Sequence, residues 1–292
     1  MATDFDAVIV GSGPGGGMVA WGLASKGWKV ALLEKGRNPY PTLGDPVLRG
    51  SIFSNDEIKW RRGFCFQDPF MKPHHKDLEA FLTAVLGPRD RAFLLCFGNF
   101  LRVPQEFTAS PQALLAGLQA YEKRDHRGVF PELGPVEIRT AGTAFYDAIY
   151  YSATEMLSGS EPGRKALILF SDGEDNSSAH HEMEALEAAQ DRDVVLYAIR
   201  YTDAKDGHLT SRNKYGASVM ARLANDTGGA DFDARKVVMA KHFQEIGEQL
   251  RSSYELAYHS TNPAADGAFH KIVVQVKRPN LSVRAKAGYY AR

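Results

Sequence analysis

The chain is 292 residues long, 44% hydrophobic and 24% charged, a globular composition with enough apolar side chains for one large α/β domain or two small ones. Lysine plus arginine balances aspartate plus glutamate at 35 each, so no global field draws the chain to nucleic acid or to an anionic membrane.

The N-terminus, Met-Ala-Thr-Asp-Phe-Asp, lacks the basic residues and apolar core of a signal peptide. No run approaches the length of a membrane span. The expectation is a cytoplasmic protein with no span. Asp6-Ala7-Val8-Ile9-Val10 then reads as a short buried strand and Gly11-Ser12-Gly13-Pro14-Gly15-Gly16 as a tight turn. Residues 17–26 read as an apolar helix, and residues 28–33 as a second strand that ends on Glu34. This is the dinucleotide fingerprint in its strand–turn–helix context. Gly11 permits the turn, Gly13 lets backbone amides approach a pyrophosphate, and Gly16 lets the helix pack closely. The helix N-terminus favours the anion, and Glu34 is placed to accept hydrogen bonds from a ribose. The same glycines would also serve simply to pack a strand against a helix.

Asn55-Asp56-Glu57-Ile58-Lys59 and Phe66-Gln67-Asp68-Pro69 extend this pattern. With them, residues 5–73 resemble the opening of the glucose-methanol-choline (GMC) oxidoreductases, a flavin family. The resemblance implies an FAD-binding fragment that uses Gly11, Gly13, Gly16 and Glu34. Nothing further along matches the rest of that family's flavin site or its catalytic histidine. These residues would reach only the adenine half of the cofactor, and tight sites bury most of their ligand, so FAD is expected to bind weakly. Residues 37–75 are rich in proline, glycine and aromatics, with little periodicity, and are expected to form an irregular connection in which Arg61-Arg62 is a solvated pair. The two cysteines, Cys65 and Cys96, lack metal spacing and sit among aromatics, as buried thiols do.

From Lys76 the pattern becomes regular. Residues 77–86 place Leu78, Phe81, Leu82 and Val85 on one helical face, ended by Gly87-Pro88. Residues 91–97 and 100–107 read as strands joined across Gly98-Asn99. Ser110-Pro111 opens a helix with proline at its first position. Arg139-Thr-Ala-Gly-Thr-Ala-Phe-Tyr-Asp147 leads into a helix over 145–157. Residues 166–170 are an unbroken apolar run, the pattern of a strand covered on both faces. It ends at the acidic turn Ser171-Asp172-Gly173, before a helix over 180–190. A strand at 194–199, a helix at 215–226, an edge strand at 230–233 and a helix at 238–250 follow. Residues 254–259, 271–277 and 282–287 alternate with period two, which predicts a small antiparallel sheet. The strand–helix alternation predicts an α/β fold, a Rossmann-like open sheet with helices on both faces. Open sheets of this kind place ligands at the carboxyl edge of their strands, where Asp172 lies.

Residues 168–174, Ile-Leu-Phe-Ser-Asp-Gly-Glu, resemble the fourth strand and ion-site loop of a von Willebrand factor type A domain. Residues 139–147 resemble its second ion-site loop, and Gly288-Tyr289-Tyr290 resembles the chain end of the Acidobacteria-type VWFA-related proteins. The resemblance covers residues 77–292. It implies a protein-binding face whose Mg²⁺ is held by Thr143, Asp172 and an Asp-x-Ser-x-Ser loop on the first strand. No such loop occurs before Asp77, so the domain is expected to lack its first strand unless Ala7 to Val10 fills the central slot. Mg²⁺ binding is then expected to be weak or absent, because this ion gives up water reluctantly. Taken alone, Thr143 also reads as a helix N-cap and Asp172 as a turn aspartate. Glu174 and Asp175 read as flanking charge, and His74-His75 and His180-His181 as surface pairs. No Gly-x-Ser-x-Gly elbow marks a hydrolase.

The expected organisation is a dinucleotide-binding fragment at 1–36, the connection at 37–75, a type A-like domain at 76–252 and a β extension at 253–292. The expected function is protein binding, of adhesion or scaffold type, through an incomplete metal-ion-dependent adhesion site, with an unidentified protein partner. The alternative is a truncated, inactive FAD-dependent oxidoreductase of the GMC type. Type A relatives of this kind are usually exported, a feature the N-terminus does not match.

Overall fold

The computed structural model describes residues 7–10, 14–33, 60–67, 75–123, 130–134, 142–159, 163–201, 209–234, 238–252, 254, 256, 267–277 and 282–291. The chain divides into two compact units, Met1–Ile58 with Glu248–Ala264, and Lys59–Gly247 with Ala265–Arg292. In the first unit β1 (Ala7–Val10), α1 (Pro14–Ala24) and β2 (Val30–Leu33) follow one another. The two strands are parallel, with Ala7 opposite Val30 and Val10 opposite Leu33. The expected strand–helix–strand frame is present.

The second unit is built on a six-stranded sheet. Its strands are β3 (Trp60–Gln67), β4 (Arg91–Phe97), β5 (Leu101–Thr108), β6 (Arg164–Ser171), β7 (Val194–Arg200) and β8 (Ala230–Asp233). They lie in the order β5-β4-β3-β6-β7-β8, all parallel except β5, which runs antiparallel to β4. The helices are α2 (His75–Val85), α3 (Pro111–Lys123), α4 (Phe145–Tyr151), α5 (Glu182–Asp191), α6 (Ser211–Asp226) and α7 (Met239–Arg251). The helix expected over 145–157 passes from α4 into a π-helical turn at Ser152–Met156.

This order corrects the expectation of a missing first strand. The central slot is held by β3, not by Ala7 to Val10: Phe64 stands opposite Leu94 on one side and Ile168 on the other. A central strand's backbone groups must be paired on both sides, and β3 meets that demand from inside the stretch expected to be irregular. The basic pair does not interrupt it, because Arg61 is level with Arg91 and Lys165, at the first rungs where the three strands begin. Accordingly the second unit begins at Lys59, not at residue 76.

Alternate residues of the strands build two apolar layers. On one face Phe93, Leu95, Leu167 and Leu169 join Phe145 and Ile149 of α4, Ala185 and Ala189 of α5, and Val219 and Leu223 of α6, all buried. On the other, Phe170 meets Phe243 of α7, which stacks on Phe81 of α2 with ring centroids 4.4 Å apart. Cys96 is buried as expected.

The tail forms a two-stranded antiparallel sheet, β9 (Phe269–Lys271) with β10 (Gly288–Tyr290), which flanks the period-two stretches: residues 272–277 and 282–287 are not strand. It docks where α5 and α6 end: Ala287 N donates to Asp226 O (2.9 Å), and the Lys286 ammonium bonds to Asp193. Of the strand expected over 254–259, only residues 254 and 256 are among the described residues.

Candidate functional site

The sheet order reverses between β3 and β6, since the chain runs outward to β5 on one side and to β8 on the other. The crevice beyond the carboxyl ends of such a pair is where open α/β sheets bind ligands. Ser171, the last residue of β6, is buried, and its hydroxyl accepts from Gly173 N (3.0 Å) while its carbonyl accepts from Tyr201 N (3.0 Å). Asp172 then turns the chain, with its Oδ1 accepting from Glu174 N (3.0 Å), an aspartate stabilising its own turn. Gly173 sits at φ +79°, and a Cβ there would overlap the carbonyl oxygen of Gly216 in α6. Glu174 completes the attachment to α6, bridging to Arg212 (2.6 Å) and accepting from Asn213 Nδ2 (3.1 Å).

The loop of Thr143 is joined to the loop of Asp172. Thr143 N donates to Asn176 Oδ1 (2.6 Å), and Asn176 N donates to Thr143 O (3.1 Å). The N-cap position of α4 is held by Ala144, and the first helical amides, Phe145 N and Tyr146 N, donate to Asp175 Oδ1 at 2.8 and 3.3 Å. Asp175 is therefore no flanking charge: it caps a helix from the opposite loop. Two residues into α4, the fully buried Asp147 returns the exchange. Its oxygens accept from Ala179 N (3.0 Å), His180 N (2.9 Å) and His180 Nδ1 (2.8 Å). Ser178 ties the two contacts together, because its hydroxyl accepts from the Asp147 backbone N (3.0 Å) and donates to the Asp175 carboxylate at Oδ1.

His180, expected on the surface, is instead mostly enclosed, its side chain 20% exposed. Its ring stacks on Tyr150 at 3.6 Å and meets the edge of Tyr151 at 5.2 Å. In the same helix, burial first and the charge of Glu182 second push the Tyr146 phenol well above the usual tyrosine range. Asp147, Asp175 and His180 were missed because their partners lie about thirty residues away in sequence. The one local hint was an acidic residue in the first turn of a helix, where it is favoured.

Thr143 and Asp172 thus stand on two loops that meet at the carboxyl edge, joined through Asn176. The type A pattern places a third loop after the first strand. After Gln67 the sequence continues Asp68-Pro69-Phe70-Met71-Lys72, with a carboxylate at the first position and neither of the two serines. Asp68, Pro69 and Phe70 lie outside the described residues. Among the described residues no group of three or more His, Cys, Asp or Glu side chains is placed to hold a metal, and one oxygen of Asp172 is already bonded within its turn. Among the described residues, Thr143 and Asp172 by themselves are fewer oxygen donors than the near-octahedral set of Mg²⁺. Of the nucleotide residues, Gly16 lies in α1, while Gly11, Gly13 and Glu34 lie outside the described residues.

No family model matches the chain. A stretch of 94 residues is 29% identical to the soluble pyridine nucleotide transhydrogenase of Pectobacterium atrosepticum, covering 30% of this chain and 20% of that protein. The chain thus spans about a fifth of this curated relative. Among solved structures it is similar to an aerotolerance-related membrane protein from Bacteroides fragilis, with TM-score 0.47 and 10% identity, over 67% of this chain and 100% of the other. It is also similar to a von Willebrand factor type A protein from Catenulispora acidiphila, with TM-score 0.44 and 14% identity, over 67% of this chain and 43% of the other. A third is the SpRpn10 VWA domain, with TM-score 0.41 and 9% identity, over 64% and 95% of the two chains. The α/β fold stands on the chain's own strand order. No described helix is long and apolar enough to cross a membrane.

Proposed function

We propose that the chain is a protein-binding module of the type A kind, of adhesion or scaffold type, acting through the carboxyl edge of its six-stranded sheet. The observation that carries this is the junction of the Thr143 and Asp172 loops at the reversal between β3 and β6. The likeness of residues 139–147 and 168–174 to type A loops supports the same face. Its ion site is short of ligands, so Mg²⁺ binds weakly or not at all. FAD binding is a second reading, favoured by the parallel β1–α1–β2 frame and by the stretch similar to a transhydrogenase. It is kept weak by the small part of a flavin site that this chain matches.

A photo-cross-linking side chain placed at the exposed Ala179, against one at the exposed Arg192 on the opposite edge of the sheet, tests the binding face. In extract of the native host, the Ala179 probe is expected to form a discrete protein adduct that Asp172→Ala removes, with no adduct from the Arg192 probe. Equal adducts from both positions, indifferent to Asp172→Ala, would reject the face. Stoichiometric flavin released from the purified protein on denaturation would favour the second reading instead.

A further inference from the structure

We infer that Asp147 and His180 are positioning residues, a latch between α4 and the loop after β6 that sets where Thr143 and Asp172 stand. This rests on the binding edge proposed above. Asp147, Tyr150 and Tyr151 are spaced i, i+3 and i+4, so they line one face of α4, and His180 is seated on that face. The ring lies flat on Tyr150 and edge-on to Tyr151, while Nδ1 donates to Asp147 Oδ1. The backbone amides of residues 179 and 180 bond to the same carboxylate. From the other direction, Asp175 of the loop takes the first amides of α4. Each element therefore supplies a carboxylate to the other's backbone, and Ser178 bridges the Asp147 backbone amide to the Asp175 carboxylate.

Between the two carboxylate contacts runs the reciprocal pair of Thr143 and Asn176. A slip of the loop along α4 would break both carboxylate contacts together and carry Asp172 away from Thr143. Burying a carboxylate is costly, and an apolar pair of the same shape often serves stability as well or better. What a fully bonded polar network adds is one unique register. That is the property a binding edge made from two loops requires.

Three variants of the full chain separate positioning from bulk stability. His180→Phe keeps a ring on Tyr150 but loses the donor to Asp147. His180→Asn keeps an N–H close to the Nδ1 position and loses the ring. Lys286→Met removes a bond at the opposite edge of the sheet as a control. Amide hydrogen exchange is read at 143–147 and 174–181, and at 194–200 in β7. His180→Phe is expected to speed exchange in the first two segments at least tenfold and to leave β7 unchanged. His180→Asn should restore most of that protection, and Lys286→Met should leave both segments at wild-type rates. Wild-type protection in His180→Phe, or a uniform rise that includes β7, would overturn the latch. Exchange needs no partner, so local loss of protection together with no adduct from the wild-type Ala179 probe would fault the binding face and leave the latch standing. If the wild type does form that adduct, His180→Phe must lower its yield, and an unchanged yield would show that the latch does not position the edge.

Discussion

β1 is followed by α1 after three residues and β6 by α5 after ten, each a parallel strand leading into a helix, but their surroundings differ. β6 has β3 and β7 on its two sides, and Ile168 and Leu169 are wholly buried. β1 pairs with β2 in a two-stranded sheet, and α1 leaves Val19 54% and Trp21 55% exposed. After β6, the loop is held to α4 by Asp175, to the Thr143 loop by Asn176, and to α6 by Glu174 and the Gly173–Gly216 approach. The glycine fingerprint after β1 is the more recognisable pattern in sequence, and the acidic turn after β6 has side chains fixed from several directions. A turn's own residues choose its shape. How precisely it presents a side chain depends on what packs around it.

Substitutions in the two crossovers sharpen this contrast. The largest effect is expected for Gly173→Val, which puts a β-branched side chain at positive φ and against the Gly216 carbonyl. The strain and overpacking together should cost about 3 kcal/mol or more, read as a lower midpoint in urea. A loss under about 1 kcal/mol would show that the loop can lift off α6.

A smaller effect is expected for Tyr146→Phe, which removes the hydroxyl bonded to Tyr215 and should cost about 1 kcal/mol near neutral pH. The cost should also depend on pH. Because the folded protein holds this phenol neutral above the ordinary value of 10.0, the unfolded chain loses its proton first. The stability tied to it is then full below that pH and drains away as pH rises beyond it. Phenylalanine has no proton to lose, so the deficit of the variant should shrink in alkaline urea titrations. A constant deficit would place Tyr146 in a more open setting.

The smallest effect, of opposite sign, is expected for Gly22→Ala in α1, where a Cβ would meet nothing within 4 Å. Helix propensity alone should add up to about 1 kcal/mol, read as a higher melting midpoint of the first unit. Destabilisation there would mean that the helix is more closely packed than its exposed side chains suggest.

Much of the architecture was legible in the residues themselves. The strand at 91–97 and the edge strand at 230–233 match β4 and β8 residue for residue, and the unbroken run 166–170 lies inside β6. The runs in β4 and β6 report their burial directly, because a strand covered on both faces is apolar nearly throughout, whereas Ala-Asp-Phe-Asp of β8 alternates, as suits an edge strand. The turn carrying Asp172 followed from the same local logic. β3 did not, since its Arg61, Arg62 and Gly63 hide a short apolar stretch that becomes central only through pairing with β4 and β6.

By itself, then, the sequence determined the alternation of strands and helices, the parallel frame around the glycine turn, and the placement of Asp172 at a carboxyl edge. Only the tertiary structure decided which strand fills the centre of the sheet, and that Asp175 caps α4 while Asp147 holds His180. The reason is physical. Periodicity records what each residue buries along its own element, whereas a carboxylate that satisfies amides about thirty residues away answers to a neighbour that exists only once the chain has folded.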